Sequence, residues 1–127
     1  MKKQKWVLGF LLCLMALAVV LTGCDLNTGG SSQTEVIVTN NTTIVMSVAL
    51  YNTDLREGYR DYRPSPGEKA TWSWDNPPIG DTLRLELFPD NSNTQRPTIQ
   101  FVLEKGKNNF SARYSGTSGQ IIIERVR

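Results

Sequence analysis

From Gln33 onward, apolar and polar residues alternate with a period of two, the spacing of a strand with one buried face and not the 3.6-residue repeat of a helix. Residues 35–39 and 44–51 read as strands on either side of Asn40-Asn41-Thr42-Thr43, which predicts a hairpin with Ile44, Met46, Val48 and Leu50 sharing one face. The opposite face, Val45, Ser47, Ala49 and Tyr51, is less apolar and is expected to meet solvent or a covering loop. Residues 52–66 are the least regular. Asp54 with Glu57 has the form of a capping box, and Leu55, Tyr59 and Tyr62 fall at i, i+4 and i+7, which fits a short helical turn; Gly58 opposes it. A polar edge strand over 59–63 fits equally well, before Pro64 and Pro66-Gly67 turn the chain.

The second half repeats a strand-and-turn rhythm. Ala70, Trp72 and Trp74 line one face of 68–74, and Leu83, Leu85 and Leu87 one face of 82–88, with Arg84 and Glu86 facing outward. Ile99, Phe101 and Leu103 align over 98–104, then Phe110, Ala112 and Tyr114 over 109–114. The closing run contains Ile121, Ile122 and Ile123, a block that can be buried on both faces. The pattern predicts an all-β domain over 34–127: a sandwich of about seven antiparallel strands, immunoglobulin-like in size, with a small closed β-barrel as the alternative. The Cys, Trp and Cys spacing of true immunoglobulin domains is absent.

Ahead of this domain the chemistry changes. Lys2, Lys3 and Lys5 form a basic head, residues 6–20 an apolar run, and Leu21-Thr22-Gly23-Cys24 a small-residue site ending in cysteine. That order describes an export signal. The apolar stretch is short for a bilayer span, which takes about 20 residues, and no basic stop-transfer flank follows it. Leu-Thr-Gly-Cys resembles the lipobox of bacterial prolipoproteins, and the resemblance covers only this first fifth of the chain. It implies that residues 1–23 are a signal peptide removed by cleavage, and that the Cys24 thiol carries a diacylglyceryl group with further acylation, by palmitate or a similar chain, of the new amino terminus. It also implies a protein held extracytoplasmically on a membrane. One acyl chain binds a membrane marginally, whereas two or three anchor it stably. Residues 24–33 are rich in Gly and Ser and read as a flexible tether with a reach of roughly 15–18 Å. Asp25, directly after the cysteine, resembles the enterobacterial signal for retention at the inner membrane. The expected location is therefore the periplasmic face of the inner membrane in a Gram-negative cell, and otherwise the outer face of the cell membrane.

Composition removes several function classes. The chain has 14 basic and 12 acidic residues, and loss of Lys2, Lys3 and Lys5 with the signal peptide leaves 11 basic against the same 12 acidic. A near-neutral domain has no cationic excess to neutralise phosphates, so nucleic acid is not an expected partner. Histidine is absent. Of the two cysteines, Cys13 lies in the apolar run and Cys24 is the lipid site, so the domain itself has neither disulfide nor free thiol. Nucleophile systems built on His, and His- or Cys-ligated metals, are excluded. No glycine-rich phosphate loop occurs, and no cofactor is implied.

What remains is sparse. Asp90, Ser92 and Thr94 place oxygen ligands at alternate positions, as at the start of a calcium loop, but Gln95 stands where the loop needs Gly and Phe101 where it needs a bidentate Glu. The segment is read as a solvated loop, with no metal assigned. Asp54, Glu57, Asp61, Glu68, Asp75 and Asp81 supply carboxylates from which a glycosidase-like pair can be drawn. Trp72 and Trp74, two apart on one strand, and Tyr59 and Tyr62 before them form the candidate binding surface, since aromatic rings stack on sugars and anchor protein interfaces. The competing reading has Trp72 and Trp74 filling the core while Tyr59 and Tyr62 sit on a loop or edge strand. The chain is thus expected to be a non-catalytic binding or structural module of the cell envelope, with an envelope protein or glycan as partner. The alternative is an envelope hydrolase working through carboxylates alone.

Overall fold

A computed structural model describes residues 33–91 and 96–127. Eight strands follow one another: β1 (Thr34–Asn40), β2 (Met46–Asn52), β3 (Glu57–Gly58), β4 (Lys69–Trp74), β5 (Thr82–Pro89), β6 (Thr98–Val102), β7 (Lys107–Ser115) and β8 (Gln120–Val126). They build two four-stranded sheets packed as a small β-sandwich, one in the order β4-β1-β7-β8 and the other β3-β2-β5-β6. The alternating positions resolve as the period predicts: β1 and β5 bury every second residue along their length.

The core lies between the sheets. Val36 and Val38 of β1, Ala70 and Trp72 of β4, Phe110 and Ala112 of β7 and Ile121 of β8 meet Met46, Val48 and Leu50 of β2, Leu83, Leu85 and Leu87 of β5, and Phe101 of β6. Each large side chain so enclosed contributes about 1.5–3 kcal/mol relative to exposure. Phe101 and Phe110 close the contact at a ring separation of 4.5 Å.

Two features differ from the sequence reading. β1 and β2 are not a hairpin, because they belong to opposite sheets and 41–45 crosses between them. The reason is Asn40, which is completely buried. Its Nδ2 donates to the carbonyls of Ile44 (2.8 Å) and Pro64 (3.0 Å), and its Oδ1 accepts from the backbone N–H (3.1 Å) and hydroxyl (2.6 Å) of Thr42. The Asn-Asn-Thr-Thr segment therefore folds over the end of the sandwich instead of reversing within one sheet. The second difference is that β1, antiparallel to β4, runs parallel to β7, with Val38 beside Phe110. The pairing of the first strand with a late one makes the sheet mixed.

Within 52–66 neither the helical turn nor the edge strand over 59–63 forms: the strand is the two-residue β3, and of 59–63 only Tyr62 bridges to a neighbour. β3 pairs with β2, and Tyr62 adds one antiparallel bridge to Val48, so the chain runs along the β2 edge without a helix. Ala49 of the less apolar β2 face is buried, whereas Ser47 and Tyr51 are half-buried. Of the isoleucine block, Ile121 is buried and Ile122 and Ile123 only partly so.

Candidate functional site

The aromatic residues singled out by spacing do come together, and Trp72 is inside. The residue is 5 % exposed, and its indole N–H donates to the carbonyl of Arg60 at 2.7 Å. Tyr62 meets it edge-on with ring centroids 5.0 Å apart, and Tyr59 meets Trp74 in the same way at 5.3 Å. Two T-shaped pairs thus zip the segment between β3 and β4 onto the sandwich. Tyr59 and Tyr62 are not free loop residues: both pack partly buried against the core, as does Trp74. The surface left to a ligand is the outward part of Tyr59, Tyr62 and Trp74, with the Arg60 guanidinium 5.5 Å from the Tyr62 ring centre.

Two of the carboxylates, Asp54 and Glu68, serve the backbone, and Asp81 a buried side chain. Asp54 accepts from the N–H of Thr82 at 2.6 Å, Asp81 from the Asn52 amide at 2.8 Å, and Glu68 from the N–H of Ser65 at 2.9 Å. Glu57, Asp61 and Asp75 are exposed. Glu124 is bound side-on by Arg113, through Nε and through Nη2, the latter at 2.9 Å. That hydrogen bonding holds the Glu124 carboxyl below the usual carboxylate range and raises the Arg113 guanidinium in turn. This is opposite to the shift a general acid needs. Of the calcium-loop residues, Asp90 is exposed and paired with Arg63 at 2.6 Å, while Ser92 and Thr94 lie outside the described residues. Among the described residues, no three acidic side chains converge as a metal site. Cys24 also lies outside the described residues.

Two concave features stand apart from the aromatic edge. One, of about 460 Å³, lies between Arg96-Pro97-Thr98 and the start of β8, over Gln120 to Ile123. The other, of about 330 Å³ and open to solvent, is lined by Tyr51, Asn52, Thr53, Arg56, Glu57 and Arg84. The sequence reading did not single out this second group. Its one signal was Arg84 on the outer face of a leucine-rich strand; Tyr51 joins it through the β2–β5 pairing and Arg56 through the β2–β3 turn.

No protein-family model matches the chain, and no curated protein matches it. The fold is similar to that of a protein from Eubacterium rectale solved by NMR, with a TM-score of 0.53 over 76 % of this chain and 90 % of that one. Sequence identity is 11 %, so the likeness is one of fold alone.

Proposed function

We propose that this chain is a lipid-anchored protein of the bacterial cell envelope, fixed to a membrane through Cys24, whose β-sandwich is a non-catalytic binding or structural module. The observation that carries this reading is Leu21-Thr22-Gly23-Cys24 directly after a basic head and an apolar run. Residues 24–33 tether the domain close to the membrane, and Asp25 favours the inner membrane in a Gram-negative cell. A sandwich whose buried polar residues, among those described, are Thr, Asn and Ser, and whose Asp54 and Glu68 bind backbone N–H groups, supports a module more readily than a hydrolase. The partner is an envelope protein or a glycan, met at the edge where Tyr59, Tyr62 and Trp74 keep part of their rings outward. Metabolic labelling with an alkyne fatty acid tests the anchor. The wild-type chain takes up label and Cys24→Ser does not; an intact mass showing unmodified Cys24 in membrane-extracted protein overturns the proposal.

A further inference from the structure

We propose that the pocket between the β2–β3 turn and β5 is a binding site for a small monocarboxylate, recognised by Arg84 and Arg56 beside Tyr51. It lies apart from the aromatic edge and does not depend on the lipid anchor.

Arg84 is the anomaly. It stands on the outer face of β5, a strand flanked on both sides, with Tyr51 of β2 and Gln100 of β6 as its cross-strand neighbours. Its guanidinium carbon lies 5.0 Å from the centre of the Tyr51 ring. Its Nε is sealed from solvent and has no hydrogen-bond partner among the described residues. A buried donor left unpaired forfeits its hydration with nothing in return. Glu86, two residues along the same face, does not relieve it, since the ion pairs among the described residues are Arg63–Asp90, Arg113–Glu124 and Arg125–Glu104. Half-buried Arg84 thus keeps its charge without a carboxylate partner among the described residues.

The backbone leading to the second cation is held in place. Arg56 has a φ of 56°, a left-handed conformation that costs a non-glycine residue energy and persists only where surrounding bonds impose it. Here they do. Asn52, wholly buried, accepts from the N–H groups of Asp54 and Leu55, each at 3.0 Å. Thr53 donates to the Thr82 carbonyl from its backbone N–H (3.0 Å) and from its hydroxyl (2.8 Å), and Asp54 accepts from Thr82 N–H. The turn is therefore riveted to the start of β5, which fixes where the Arg56 side chain leaves the backbone, and Arg56 lines the same pocket as Arg84.

The chemistry selects the ligand. A guanidinium presents paired N–H donors that match a planar carboxylate in a bidentate contact. Two arginines opposed by Glu57 leave one net positive charge in the pocket, which suits a monoanion better than a phosphate dianion. A volume of about 330 Å³ holds one sugar or amino-acid residue. Engagement lifts the guanidinium from the Tyr51 ring, exchanging a cation–π contact for an ion pair and giving Nε its missing acceptor.

The test is an NMR titration of the full chain, 15N-labelled at arginine and held in neutral detergent, with glucuronate as probe and methyl glucoside and inorganic phosphate as controls. The Arg84 Nε–H resonance should move downfield with glucuronate, saturating with a Kd on the order of 1 mM, and should stay fixed with methyl glucoside. Arg56→Gln, an exposed turn position, should weaken the response at least about tenfold while the amide spectrum stays folded. An Arg84 Nε–H that does not respond to glucuronate, an equal response to phosphate or methyl glucoside, or full affinity in Arg56→Gln would each overturn the assignment.

Discussion

The indole N–H of Trp72 and the backbone carbonyl of Arg60 are 2.7 Å apart, and that bond ties the irregular segment before β4 to the strand it leads into. Trp72 is thus both a core side chain and a clasp. Replacing it with alanine should cost about 3–5 kcal/mol through the cavity. Trp72→Phe keeps most of the ring but abandons a carbonyl, and should cost about 1–3 kcal/mol. Urea unfolding followed by circular dichroism measures both, and a Trp72→Phe variant as stable as wild type would show that the clasp contributes nothing.

Tyr59 and Trp74 form the outer of the two edge-on pairs, and both retain some exposure. Their coupling in a double-mutant cycle of Tyr59→Ala and Trp74→Ala should be about 0.5–1.5 kcal/mol. Strict additivity would mean that the rings touch without stabilising one another, leaving them free to serve a ligand.

Asn40 makes four hydrogen bonds from a side chain with no exposed surface. Asn40→Ala should cost about 2–4 kcal/mol, because the carbonyls of Ile44 and Pro64 lose their donor in a site with little room for water. Its neighbour Asn41 is exposed and gives one side-chain bond, to Ser111 at 2.8 Å. Asn41→Ala should stay within about 1 kcal/mol of wild type. Equal melting temperatures for the two variants would refute the role given to Asn40.

Glu124 supplies a pH dependence whose sign is set by Arg113. Its carboxyl is held lower in the folded chain than in the unfolded one, so its contribution is present at pH above the unfolded-state value and disappears as pH falls through the lowered folded-state value. Arg113 stays charged throughout. The melting-temperature gap between wild type and Glu124→Gln should therefore be widest near neutral pH and close in acid, with the pair's surface position keeping it small. A 13C titration of the Glu124 carboxyl checks the direction independently; a midpoint above that of an exposed glutamate would contradict it.

The strands that could be read from the chain are those whose partners do not matter to their pattern. Leu83, Leu85 and Leu87 alternate with Arg84 and Glu86 whichever strands lie beside them, and the buried face follows from period alone. The parallel pairing of β1 with β7 is invisible to that argument, since nothing local to Val36 or Val38 specifies Asn108 or Phe110 as a neighbour. The Asn40 turn misled for a related reason: Asn-Asn-Thr-Thr has hairpin composition, and only the distant Pro64 carbonyl turns it into a crossing. For the candidate site, spacing put Trp72 and Trp74 on one face but could not show that Tyr59 and Tyr62 would pack onto them. Arg56 and Arg84 lie too far apart in sequence for any motif to join them.

The parallel β1–β7 contact also sets an order of events. Thr34 and Gly106, joined where these strands begin, are 72 residues apart in the chain. Until β7 is available, β1 has only β4 to pair with, and one whole layer of the molecule is missing half its strands. Contacts between such distant positions slow folding. A polypeptide made from its amino end therefore stays pliable until almost its last segment has joined, and closes around its core in one late step.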